Sequence, residues 1–262
     1  MTDLPSIPDL LDLEHVEPDL YRSRALYDAP WGMFGGQAAA QALYAAGLTV
    51  QKDRLPHSLH GYFIRRGNTA KPTEFRVDRD RDGRSFSARR VVAIQDGEVI
   101  FSMLASFAVP AGPRQPFPDE EGEPVPDLPP VDSLPVWPNP KHPSFEFRPL
   151  DAESRLPHRF WLKCADALPD DPLTHAAVLA YTSDISTALI PFESDRISTG
   201  PSLDHAVWFH RPARMDGWTW QELTPRTVAG GRGWYTATIY TTEGTRIASV
   251  AQEQLFAARR AR

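Results

Sequence analysis

"GGQAAAQALYAAGL" (residues 35–48) and "DPLTHAAVLAYTSDI" (171–185) are two alanine-dominated stretches, and neither carries a charged face. Small residues of high helix propensity predict a helix in each, and the lack of a polar side predicts enclosure on most sides. Asp171 stands as an N-cap with Pro172 at the first helical position. A strand pattern follows each helix, "SLHGYFIR" (58–65) and "SLDHAVWFHR" (202–211). Longer strand candidates then come in pairs, "SFSARRVVAIQDGEVIFSMLASFAV" and "GWYTATIYTTEGTRIASVAQEQLF". Each pair is divided by a hairpin signal, Asp96-Gly97 or Glu243-Gly244.

Helix then antiparallel strands, occurring twice, predicts an α+β protein of two similar halves. Superposing the halves pairs Tyr44 with Tyr181, Ser58 with Ser202 and Gly97 with Gly244, offsets that grow smoothly along the chain. Between them, thirteen of the 26 prolines fall from Pro110 to Pro149. Proline at that density forms neither a helix nor an interior strand, so an extended surface linker is expected. The organisation is then 1–110 for the first half, 111–149 for the linker and 150–262 for the second.

Length and composition bound the function. At 262 residues the chain can bury a sizeable core, and 41% hydrophobic with 24% charged residues is ordinary for a globular protein. A net charge of −6 argues against nucleic acid or an anionic membrane surface as partner. The N-terminal "MTDLPSIPDLLDLEHVEPDL" has neither the basic region nor the apolar core of a signal peptide, and no apolar run is long enough to insert in a membrane, so a cytoplasmic location is expected. Cys164, the single cysteine, reads as a small buried apolar residue.

"SLDHAVWFHRP" (202–212) holds serine, aspartate and histidine, the side-chain types of a hydrolase triad. On one continuous strand, however, Ser202 and Asp204 face one way and His205 the other, and no G-x-S-x-G turn occurs anywhere in the chain. His57, His60, His205 and His210 lack metal-ligand spacing and read as ordinary partly buried or surface histidines; no metal is expected. The comparison between halves is more informative. Gly47, Ser58 and Ala105 of the first half face Asp184, Ser202 and Gln252 of the second. Asp184 continues the helical stripe Leu173, Ala177, Ala180, and Gln252 follows Ala248 and Val250 on one strand face. Inward-facing polar groups are costly unless hydrogen-bonded to one another or to water. They form either an inert internal cluster or a site that holds a water, with Asp184 as base and burial raising its pKa. Asp204 is a rival base.

Six motifs in order resemble the acyl-CoA thioesterase II (TesB-type) family: "FGGQAAAQAL" (34–43), "HSLHGYFIRRG" (57–67), "RDGRSFSARRVVAIQDGEVIF" (81–101), "LAYTSD" (179–184), "SLDHAVWFHRP" and "VAQE" (250–253). The likeness spans about residues 12–257; "YFIRRG" and "QEQLF" depart mildly from the family pattern. The resemblance implies a double hotdog fold, each repeat a long helix wrapped by an antiparallel sheet. It implies hydrolysis of a fatty acyl-CoA to free acid and CoA by a water that Asp184, Ser202 and Gln252 activate, and so prefers Asp184 over Asp204. No covalent intermediate and no cofactor are called for, CoA being part of the substrate, and a homo-oligomer is expected. Gly35, Gly36 and Gln37 are candidate backbone donors to the oxyanion, although the glycines would equally serve tight packing. Arg65, Arg66, Arg84 and Arg89 are candidate CoA-phosphate ligands by residue type. A hotdog-fold enoyl-CoA hydratase or dehydratase, which would want an Asp/His pair, and a non-catalytic acyl-CoA-binding module are the alternatives.

Overall fold

Alanine at six positions lets helix α2 (Gly35–Gly47) bury all but two of its residues, and the helix lies against strands on one side and a second helix on the other. Its partner α3 (Pro172–Ser183) begins as expected, with the Asp171 carboxylate accepting the Thr174 N–H at 2.9 Å. The two helices run antiparallel, so Gly36 abuts Tyr181 and Gly47 abuts Leu173. These features come from a computed structural model, which describes residues 4–110, 126–139, 141–150, 158–185, 188–194 and 197–258.

The first half adds a short helix α1 (Ile7–Leu11) and strands β1 (Leu13–Glu17), β2 (Leu20–Ser23), β3 (Leu55–Phe63), β4 (Glu74–Asp82), β5 (Phe86–Gln95) and β6 (Glu98–Ala108). The second adds β7 (Phe145–Pro149), β8 (Arg159–Cys164), β9 (Ile197–Ser202), β10 (Asp204–Phe209), β11 (Thr219–Ala229), β12 (Arg232–Thr241) and β13 (Arg246–Ala258). All thirteen strands join one antiparallel sheet in the order β1-β2-β4-β5-β6-β3-β10-β13-β12-β11-β8-β7, with β9 also paired to β13. The order reads as the same arrangement twice, reflected about the β3–β10 junction. This is the double hotdog of the α+β class. Both hairpins form where expected, with Asp96 and Gly97 at positive φ in one and Gly244 at φ 80° in the other.

The register at the junction is two-fold symmetric. His60 pairs with Ala206, Leu59 with Val207 and Gly61 with His205. It also corrects one correspondence between the halves. Pro56 pairs with Phe107 in β6, and Ser202 pairs with Gln254 in β13. Ser202 is therefore the counterpart of Pro56, and Ser58 that of Asp204, two residues away from the match that the shared "SL" suggests. The strand expected over 202–211 is likewise two strands, broken at Leu203. The first half has a register shift at the equivalent place, between Pro56 and Ser58.

Of the linker expected over 111–149, residues 111–125 and 140 lie outside the described residues. Its last five residues instead form β7 at the edge of the second half's sheet. Leu128, Val131 and Leu134 cover the outer-face cluster Trp161, Trp220 and Tyr240, and the Trp161 indole donates to the Pro129 carbonyl at 2.9 Å. No helix among the described residues is long and apolar enough to cross a membrane.

Candidate active site

Asp184 is the C-cap of α3 and lies opposite the first turn of α2. A Cβ on Gly35 would lie 2.6 Å from Asp184 Oδ2, and one on Gly36 would lie 2.2 Å from the Tyr181 carbonyl oxygen. Only glycine permits this approach, which accounts for both glycines through packing. The carboxylate is 6% exposed. Burial pushes its pKa up to about 7, against the opposing effect of hydrogen bonds from the Gln252 amide and the Gly36 N–H.

Gln252, on β13, has no solvent exposure and organises the cluster. Its Nε2 donates to Asp184 Oδ1 at 2.8 Å and to Ser202 Oγ at 2.5 Å. Gln254, two residues along the same strand face, also donates to Ser202 Oγ at 3.3 Å. Ser202 thus accepts two amide protons and keeps its own hydroxyl proton for another acceptor. The break at Leu203 brings Ser202 and His205 to the same amide, because His205 Nδ1 bonds Gln252 Oε1. The other ring nitrogen, Nε2, lies 2.8 Å from Ser183 Oγ. Burial lowers the His205 pKa to about 4, so the ring is neutral. With Gln252 Oε1 facing it, Nδ1 carries the ring proton, and the Ser183 hydroxyl proton is shared between Nε2 and the Ala180 carbonyl 2.9 Å away. With Oε1 against the ring, the amide aims its Nε2 at Asp184 and Ser202.

On one unbroken strand His205 faces away from Ser202, so in sequence it reads as an ordinary histidine. The corrected register provides the missing signal: His205 stands where the first half has Leu59. Gly47, Leu59 and Ala105 have thus all become polar in the second half, and the three replacements hydrogen-bond in series. Asp204 takes no part, since its Oδ1 accepts the Glu253 N–H at 2.8 Å. The triad reading stays excluded, since the His205 ring bonds Ser183 and Gln252 and not Asp204. His175, nine residues before Asp184, is near the other end of α3.

The site opens on a cavity of about 1080 Å³ bounded by Asp184 and Ser202, with apolar walls that include Met33, Phe63, Phe101 and Phe147. Gly35, Arg65 and Arg66 border it as well. Arg65 is ion-paired with Glu98 at 2.8 Å, and Arg66 donates to the Pro30 carbonyl. The other two arginines do not fit a ligand role here. Arg84 is exposed near the β4–β5 turn and lines no part of this cavity. Arg89 is 1% exposed and internal, donating to Thr49 Oγ1 at 2.7 Å and Asp82 Oδ1 at 2.8 Å. Lys141, inside the proline-rich segment, borders the cavity instead. Gln37 is also corrected: its N–H bonds the Phe34 carbonyl, and its buried side chain accepts from Tyr27. The Gly36 N–H is engaged by Asp184, so of the expected oxyanion donors the Gly35 N–H is the one with no acceptor among the described residues.

Comparison with known proteins converges on one family. Residues 27–108 match the model of the acyl-CoA thioesterase N-terminal domain, and residues 110–256 match that of the C-terminal domain. Human acyl-coenzyme A thioesterase 8 is 32% identical, the alignment covering 94% of this chain and 87% of the relative. Acyl-CoA thioesterase 2 of Haemophilus influenzae is also 32% identical, over 96% and 97%. The crystal structure of the acyl-CoA thioesterase II TesB2 from Mycobacterium marinum is 37% identical and covers 97% of this chain and 99% of its own, with a TM-score of 0.81.

Proposed function

The chain belongs to the acyl-CoA thioesterase family, and from that membership we propose that the Asp184–Gln252–Ser202 cluster activates a water to hydrolyse a fatty acyl-CoA. The observation that carries this reading is the single Gln252 amide bonded at once to Asp184 and Ser202 on the wall of a large apolar cavity. Asp184 takes a proton from the water as its oxygen bonds the thioester carbonyl carbon. The oxyanion forms facing the first turn of α2, where the Gly35 N–H and the positive end of the helix stabilise it. The C–S bond then breaks, and the proton held by Asp184 passes to the departing CoA sulfur. Ser202, its oxygen occupied by two amide donors, directs its hydroxyl proton at the water and fixes the water's position. Gln252 holds both groups in place.

Arg65, Arg66 and Lys141 supply positive charge at the cavity edge for the phosphates of CoA. The proposed step draws on no cofactor. A cytoplasmic homo-oligomer, without membrane insertion or nucleic acid, completes the reading. The hydratase alternative loses support because no histidine touches Asp184 among the described residues: His205 reaches Gln252, and His175 borders a different cavity.

Thiol release from a panel of saturated acyl-CoAs, short to long, tests the proposal with wild type and Asp184→Ala side by side. Removing the base is expected to cost about 10²-fold or more in rate. Equal cleavage by both would overturn the assignment, binding without turnover would identify a non-catalytic module, and hydration of an enoyl-CoA would favour the hydratase.

A further inference from the structure

The two-fold relation between the halves gives the cavity at Asp184 a counterpart. A second cavity, of about 490 Å³, lies at the opposite end of the helix pair. Part of its wall corresponds to that of the first. The run Phe209 to Ala213 lines it where Phe63 to Gly67 lines the other, the offset being that of the β3–β10 register. Pro172 and His175 of α3 replace Gly35 and Ala38 of α2, and Ala108 of β6 replaces Leu255 of β13. Only the chemistry is missing. Gly47, Leu59 and Ala105 stand where the first site has Asp184, His205 and Gln252. Leu173 methyl carbons lie 2.3 and 2.5 Å from where a Cβ on Gly47 would be, filling the room a carboxylate would need.

We propose that this second cavity is an acyl-binding site that holds its ligand without hydrolysing it. The ligand class rests on the thioesterase reading of the first cavity; the existence and walls of the second do not. Three features suit an acyl chain that carries an anionic head. Leu55, Phe86, Leu179 and Phe209 make its sides apolar, and the volume falls within the roughly 300–1,000 Å³ of ordinary ligand pockets. No acidic side chain is among the described residues that line it, whereas Arg211 is. His175, 4% exposed, accepts the Met215 N–H at its Nδ1, so the ring proton sits on Nε2, and that buried nitrogen has no acceptor among the described residues. A buried donor left unpaired is costly, and a turn of the ring toward the cavity would let a ligand carbonyl or carboxylate oxygen relieve it. An acyl chain can arrive on CoA or as the free fatty acid, and both present such an oxygen.

Isothermal titration of the full-length wild-type protein with S-dodecyl-CoA, a thioether that cannot be hydrolysed, and separately with dodecanoate tests the proposal. Two equivalents per chain are expected for at least one ligand. Ala176→Phe and Ala213→Phe, each filling the second cavity, should each reduce this to one while leaving basal thiol release from dodecanoyl-CoA unchanged. A second equivalent of the thioether alone identifies the CoA-borne chain as the ligand; one of dodecanoate alone identifies the product acid; both show that the chain itself is recognised. A crystal structure of the wild type with the thioether locates each ligand directly, independently of whether the filled variants fold. One equivalent throughout, with density only beside Asp184, would overturn the proposal and leave the thioesterase reading intact. Failure of the wild type to release thiol would instead overturn the thioesterase reading.

Discussion

A carboxylate at Asp184 has almost no water around it and two donors, the Gln252 amide and the Gly36 N–H, to stabilise its charge. That balance sets both its reactivity and its effect on folding. With a pKa near 7 it can take a proton from water and return it to a thiolate at neutral pH. A general base must be ionised, so kcat/KM should fall as pH drops below about 7, and a profile whose limb sits near 4 would show that burial does not control this group. For stability, the folded pKa of about 7 lies above the unfolded value near 3.8. The stability contributed by the protonated form is therefore fully present below 3.8 and lost as pH rises through 7. Asp184→Asn, neutral at every pH, should match wild type near pH 4 and exceed it at pH 8 by on the order of a few kcal/mol, measured by denaturant titration. Its activity should fall about 10²-fold or more. His205 acts through Gln252 and is a positioning residue. In His205→Phe the amide is free to turn, and kcat should fall by up to about 10²-fold with KM little changed. A parallel rise in KM, or a loss explained by unfolding, would make His205 merely structural.

Single elements place these side chains, and the helix crossing is the least tolerant of them. At Gly36 a methyl group would meet a backbone carbonyl oxygen at 2.2 Å, an atom that cannot swing aside. Gly36→Ala should therefore separate α2 from α3, cost about 1–3 kcal/mol and remove most activity by displacing Asp184 from Gln252. Thermal unfolding and thiol release check this, and an unperturbed variant would mean that the helices approach less closely. Much at this scale was legible in the sequence. Alanine runs, the Asp171-Pro172 cap and the turn glycines marked both helices and both hairpins, since each is a local signal. Asp184 and Gln252 stood out because glycine and alanine occupy their places in the first half. The break at Leu203 was not legible: whether a strand stays in register depends on its neighbour, β13, which lies some fifty residues away. With the break unseen, His205 fell on the wrong face and Ser202 was matched to Ser58 instead of Pro56. The cations were hardest of all, because Arg89 and Arg65 look alike in sequence and differ only in what packs over them.

At the scale of the whole molecule, neither half completes itself. β3 of the first half has β6 on one side and β10 of the second on the other, and α2 buries a face against α3. The site shares this dependence, since Asp184, Gln252 and Ser202 come from the second half while the facing helix terminus comes from the first. A chain ending at residue 110 would expose the full edge of β3 and the Gly36–Gly47 face of α2, and an unpaired apolar edge invites pairing with another chain. The β3–β10 register adds something more specific. Because it is symmetric about His60 and Ala206, two copies of β3 can pair antiparallel with His60 opposite His60, and two α2 helices can then lie where α2 and α3 lie now. Residues 1–110 expressed alone should accordingly form a two-fold dimer, seen as twice the chain mass by light scattering after size-exclusion chromatography. The dimer should have no thioesterase activity, because each of its sites would carry Gly47, Leu59 and Ala105. A folded monomer of residues 1–110 would show that the first half closes its own edge, and that the junction joins two finished units instead of completing them.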